Sequence, residues 1–158
     1  SNGLTDRPDL QKMLLDLGFK WVSSKYPSHP NSKPGEEPTE ATFDGIVAAQ
    51  EMAQPFVYPG GLIEVPMSPI SDIGAFRNGR WKLEHFLEAT RRSLKSVIER
   101  GTVFDLLSHP ACLYAMDPEF RAIELICDLV NRAGDRARFA TLDEIAEMAA
   151  KRNAASPR

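Results

Sequence analysis

The sequence predicts an α/β fold in which mostly parallel strands alternate with helices. Short apolar runs of about four or five residues recur between longer stretches of helical periodicity. Those runs are nearly continuous in apolar residues, the pattern of a sheet covered on both faces. Glycine and proline clusters close most of them, which marks each as a separate element.

Residues 8–17 read as the first helix. Pro8 suits a first helical position, Asp6 and Asp9 favour the positive end, and Gly18 suits a left-handed stop. Leu10, Met13, Leu14 and Leu17 fall on one stripe, which predicts a buried face. Residues 19–22 (Phe-Lys-Trp-Val) predict a strand. Residues 27–38 carry four prolines and no apolar period, so they form a surface loop, a lid or a mobile excursion. Thr39 caps a second helix to about residue 53, with Phe43, Ile46 and Val47 inward. Residues 56–58 and 62–65 are the second and third strands, closed by Pro59-Gly60-Gly61 and Pro66-Met67-Ser68-Pro69.

The longest helix spans about 82–100 and stops at Gly101, with Leu83, Phe86, Leu87, Leu94, Val97 and Ile98 on one stripe. Residues 103–107 predict the fourth strand, followed at once by Ser108-His109-Pro110. Asp117-Pro118-Glu119 starts a further helix with Ile123, Ile126, Cys127 and Val130 inside and Gly134 as its stop. Residues 138–140 form a short strand. Thr141-Leu142-Asp143-Glu144 has the capping-box pattern of a last helix near 142–151. One domain therefore covers 1–152, with 153–158 as a flexible tail. A closed barrel of eight such units needs about 250 residues, so 158 residues make either a small open sheet or part of a larger barrel.

Composition excludes several classes of function. Nineteen Lys and Arg against 22 Asp and Glu give a net charge of −3, without the basic stripe that neutralises nucleic-acid phosphates. No apolar run approaches the roughly 20 residues that span a bilayer, so no membrane partner is expected. Ser1-Asn2-Gly3 carries neither Met nor a signal-peptide pattern and reads as a cut or processed end. Cys112 and Cys127 are too few for a disulfide scaffold and read as idle thiols, which favours a cytoplasmic setting.

In a parallel α/β sheet the ligand lies at the carboxyl ends of the strands. Those ends carry Ser23, Ser24, Lys25 and Tyr26, then Tyr58, then Ser68 and Asp72, then Ser108 and His109. His109 directly follows a strand and precedes a proline, so its imidazole is placed to move a proton near neutral pH. His29 lies in the Pro-rich loop and is expected in solvent. His85 is expected at the edge of a buried helix face, with no role. With no H-x-x-x-H and no C-x-x-C, the three histidines form no recognisable metal site.

Leu106-Leu107-Ser108-His109-Pro110 resembles a motif of the polysaccharide deacetylases, the NodB-like carbohydrate esterase family 4. The resemblance includes Leu14-Leu15-Asp16-Leu17-Gly18-Phe19-Lys20-Trp21-Val22-Ser23-Ser24 and Gly61-Leu62-Ile63-Glu64-Val65-Pro66-Met67-Ser68-Pro69-Ile70-Ser71-Asp72. In element order it runs from about residue 8 to 150. It implies the carboxyl-terminal part of a distorted (β/α) barrel. It also implies removal of acetyl groups from N-acetylated amino sugars with a divalent metal, most often zinc. The family's T-F-D-D, H-x-x-x-H and R-x-P segments would lie upstream of Ser1, so this chain alone is expected to hold no metal and to be inactive. Thr42-Phe43-Asp44-Gly45 mimics the first of them but falls inside a helical pattern.

The resemblance makes His109 the acid that protonates the leaving amine, with Asp72 as its supporting carboxylate and Glu64 as the alternative. Leu107 would line the groove for the acetyl methyl, and Ser68, Ser24, Tyr26 and Tyr58 would contact the sugar. Ile73 occupies the place of the tryptophan that usually follows the supporting aspartate, and Trp81 lies farther along. Two other readings stand beside this one, a non-catalytic carbohydrate-binding remnant and an amide hydrolase of cyclic ureides or imides. A half-barrel leaves strand edges unpaired, so a homo-oligomer is expected.

Overall fold

The structure, a computed structural model, describes residues 6–28 and 32–155. About 58% of the chain is helical and 4% is strand, so the expected strand-and-helix barrel portion is not what forms. Among the described residues six α-helices accompany a small mixed sheet: α1 Pro8–Asp16, α2 Glu40–Met52, α3 Leu83–Arg100, α4 Pro110–Met116, α5 Arg121–Ala133 and α6 Leu142–Ala155. The strands are β1 Trp21–Val22, β2 Phe56–Val57 and β3 Ile63–Glu64, in the order β1-β3-β2.

β1 runs parallel to β3, with Trp21 opposite Ile63, whereas β2 runs antiparallel to β3, with Val57 opposite Ile63. Local geometry dictates the second pairing. A parallel crossover needs a dozen or more residues, and only a short Gly-Gly turn separates these two strands. The turn closes through Tyr58 N–H to Leu62 O (2.8 Å) and Gly61 N–H to Tyr58 O (2.8 Å). Gly61 sits at φ +99°, a conformation that residues with a Cβ rarely adopt.

Residues 103–107 do not form the expected fourth strand, nor do residues 138–140 form a fifth. Side chains take the place of a ladder at Val103, whose N–H donates to Gln54 Oε1 (2.8 Å). Its carbonyl accepts from the amides of Gln50 (3.1 Å) and Gln54 (3.2 Å). One backbone bond, Ser68 N–H to Asp105 O (2.7 Å), ties the segment to the chain beyond β3. From Phe104 to Ser108 no backbone N–H meets a partner among the described residues.

The main core joins Phe43 and Ile46 of α2 to Phe86, Leu87 and Ala89 of α3, with Ile70, Ala75, Phe76 and Trp81 beneath them. Phe76 and Phe86 meet edge to face, with ring centroids 4.9 Å apart. A second, smaller cluster seats Ala146 and Ala149 of α6 on Ile63 and Val65. Thr42, Phe43 and Asp44 lie in α2, where Thr39 and Thr42 cap its start reciprocally. The Thr141–Glu144 capping box forms at α6 as the pattern predicts, and Gly101 stops α3 at φ +63°.

Four helical expectations need correction. The α1 stripe is not buried, since Met13 is 50% and Leu17 67% exposed while Gln11 is the buried side chain of that helix. On α5, Ile123 is exposed and Ile126, Cys127 and Val130 are only half-buried, because the helix seats the small residues Ala122 and Ala133 instead. The third is α4, a helix begun by Pro110 where none was expected, and α6 continues to Ala155, beyond the expected start of a flexible tail. Residues 156–158 of that tail lie outside the described residues.

Native-state hydrogen exchange should separate the ladder from its absent neighbour. The amides of Ile63 and Val65, bonded to Lys20 O and Val22 O, should exchange slowly, and those of residues 104–108 far faster. Strong protection across 104–108 would show that a strand partner covers them.

Candidate functional site

The described site is assembled around the carboxylate of Asp72. The chain leaving β3 meets Pro66 and Pro69, which cannot donate to a ladder, and turns into a six-residue π-helical segment, Ile73–Asn78. Asp72 stands at the start of that turn, fully buried, with Oδ1 accepting the N–H of Ile73 (2.9 Å). Its Oδ2 accepts the backbone N–H of His109 (2.7 Å), and Oδ1 lies 2.9 Å from His109 Nδ1. A ring that donates from Nδ1 to this carboxylate leaves Nε2 for a ligand. The imidazole is 44% exposed and the carboxylate behind it fully covered.

His109 borders a cleft of about 480 Å³, which Tyr26, Ser68 and Leu107 also line. Those four residues of the sequence-derived set come together. Ser32, Asn78 and Trp81 are among the other lining residues, and sequence reasoning did not place them there. Trp81 returns to the cleft because the π-helical turn and Arg80, in the left-handed region at φ +55°, fold the chain back. The indole N–H donates to Ser32 Oγ (2.7 Å), and Gly35 N–H donates to Gly79 O (3.0 Å). Lys82 pairs with Glu37, so the described part of the Pro-rich loop is fastened to this wall. Gly79 is required for the close approach, since a Cβ there would stand 2.9 Å from Ala75 O and from the Trp81 ring.

Ser24 and Tyr58 do not join the cleft lining. They turn to Glu64, which is fully buried and accepts from Ser24 N–H (2.7 Å), Lys25 N–H (2.9 Å), Ser24 Oγ (2.9 Å) and Tyr58 Oη (3.1 Å). Tyr58 is itself buried, so its ring offers no open face for stacking on a sugar. Glu64, taken up by the end of β1, does not support His109. Lys25 pairs with Asp6, and that bond holds its ammonium above the usual range.

Ser68 is 2% exposed, and its Oγ has no hydrogen-bond partner among the described residues. Leaving a buried hydroxyl unpaired costs about 1–3 kcal/mol. Beside it, Asp105 accepts from Ser23 Oγ (3.2 Å), and burial raises this carboxyl above the usual carboxylate range. Cys112, near Asp72, is a free thiol raised by burial and then by the carboxylate charge, which disfavours a nucleophilic thiolate. His85 is half-buried, as its place at the edge of a helix face suggests, and His29 lies outside the described residues.

A protein zinc site needs three or four converging nitrogen, sulfur or oxygen ligands. Among the described residues no three His, Cys, Asp or Glu side chains come together in that way, so this donor set does not fit a metal. No described helix is long and apolar enough to cross a membrane. No family model, curated protein or solved structure matches the chain.

Two variants test this reading of the carboxylates. Asp72→Ala leaves the buried N–H groups of Ile73 and His109 without acceptors and should cost about 2–4 kcal/mol in chemical denaturation. His109→Ala should cost about 1 kcal/mol or less, because both backbone bonds remain; equal losses would contradict the clamp. For Asp105, a raised folded-state value means that the native state holds its proton more tightly than the unfolded chain. Stability should therefore fall as pH rises from the ordinary carboxylate range through the raised value. Asp105→Asn should flatten that fall and raise Tm at neutral pH.

Proposed function

We propose that this chain carries the proton-donating machinery of a carbon–nitrogen hydrolase acting on an N-acetylated amino sugar. The observation that supports it is the imidazole at the rim of a polar cleft, backed by a buried carboxylate on Nδ1. Amide cleavage requires a proton on the departing nitrogen, because an amide anion is a very poor leaving group. A histidine oriented by a carboxylate can, as the imidazolium, deliver it from Nε2 to the departing nitrogen while water adds to the carbonyl carbon and the C–N bond breaks, and such a donor is typically worth about 10²–10⁴ in rate. Asp72 acts through the ring and positions it. Leu107 gives the cleft an apolar patch suited to an acetyl methyl, and the half-exposed Tyr26 suits a sugar. The resemblance at residues 106–110 points to the same chemistry. No step is routed through a metal, since the described donor set does not fit one.

Acetate release from N-acetylglucosamine oligomers by the full-length gene product tests the reading. His109→Ala should lower kcat by about 10²–10⁴ with little change in KM. Unaltered turnover, or no release from any N-acetylated sugar, would sink it.

A further inference from the structure

We infer that the open edge of residues 104–108 is an interface that takes the same segment of a second copy of this chain, antiparallel about a twofold axis at Leu106. The segment runs without a turn or bend, and along residues 103–109 the bonded backbone groups all belong to alternate residues. Val103 meets the amides of Gln50 and Gln54, Asp105 O accepts from Ser68 N–H (2.7 Å), and His109 N–H donates to Asp72 Oδ2 (2.7 Å). Successive residues of an extended chain direct their backbone groups to opposite edges, so Phe104, Leu106 and Ser108 turn theirs away from those partners. Neither the N–H nor the C=O of these three is bonded among the described residues. Such a row of unpaired donors and acceptors is a template for another strand.

Symmetry and area select a second copy as the occupant. With Leu106 opposite its twin, Phe104 of each chain faces Ser108 of the other, and all three pairs exchange both backbone bonds. Asp105 then falls opposite Leu107, so no like charges meet, whereas a register centred on Asp105 would set two carboxylates face to face. The contact uses one patch twice and closes on itself. The chain exposes 9499 Å², whereas a compact monomer of 17.6 kDa exposes about 7,900 Å². That excess is larger than the roughly 800 Å² that a standard interface takes from each partner. Apolar surface adjoins the edge, for Phe104 lines a groove of about 550 Å³ together with Phe139 and Met148, which are 60% and 43% exposed.

Light scattering of the unaltered chain from about 2 to about 500 µM should show a reversible passage from one chain to two. In the dilute sample residues 104–108 exchange their amide hydrogens fast. Across that range, exchange read at single residues should slow about tenfold or more at Phe104, Leu106 and Ser108, while Asp105 and Leu107 stay fast. Ser108→Pro removes one donor from each copy and should keep the chain single at about 500 µM, whereas Ser108→Ala keeps the N–H and should still pair. Should the proline variant fail to fold, the alternating exchange pattern of the unaltered chain decides alone. A single chain at the highest concentration, species larger than two, or a dimer in which residues 104, 106 and 108 stay fast would overturn the inference. So would a folded Ser108→Pro variant that still pairs. Slow exchange at the three residues that is independent of concentration would also overturn it, because a segment of the same chain then covers the edge.

Discussion

Buried carboxylates, each held by two backbone amides, do in this fold what a broad sheet does elsewhere. Glu64 accepts the N–H groups of Ser24 and Lys25, Asp72 those of Ile73 and His109, and Asp117 those of Arg121 and Ala122. All three side chains are fully buried. Removing a carboxylate from water costs several kcal/mol, and only well-placed donors offset it, so each one dictates the path of two separate segments or the start of a helix. With three strands of two residues each, ladders alone would leave the loops between helices free to wander. The carboxylates fix them, and the cleft is built from loops fixed in this way.

The helices were legible because their signals are local. Caps, prolines at first turns and the glycine after α3 act within a few residues, and the long stripe of α3 meets α2 and α5 over its length. The strands misled for the opposite reason. An apolar run of four or five residues describes burial and not pairing, and residues 103–107 are half-buried without acquiring a ladder. The Gly-Gly turn was the overlooked local signal, since its length alone excludes a parallel connection between β2 and β3. Of the site, the contact between Asp72 and His109 spans residues far apart in sequence, and no spacing rule reaches it; the strand-end reading named both positions, and the family resemblance paired them. Ser32 and Trp81 meet across a similar separation through a π-helical turn that periodicity does not announce.

Where the apolar stripes went is equally instructive. The faces of α1 and α5 carry large side chains to the surface, among them Met13, Leu17, Phe120 and Ile123. Apolar residues at helical spacing are present in both, yet these four side chains stay 39–67% exposed among the described residues. The core gathers instead where aromatic rings from α2, α3 and the π-helical turn interlock. Trp81 belongs both to this core and to the cleft lining, so the main core supports one wall of the cleft.

The carboxylate of Asp72 grips residue 109 twice, once by its backbone and once by its ring. The first grip is indifferent to side-chain identity, so position 109 can drift without unravelling the turn, whereas position 72 cannot. A change at 109 therefore alters the cleft rim alone, whereas a change at 72 releases two separate segments of backbone at once.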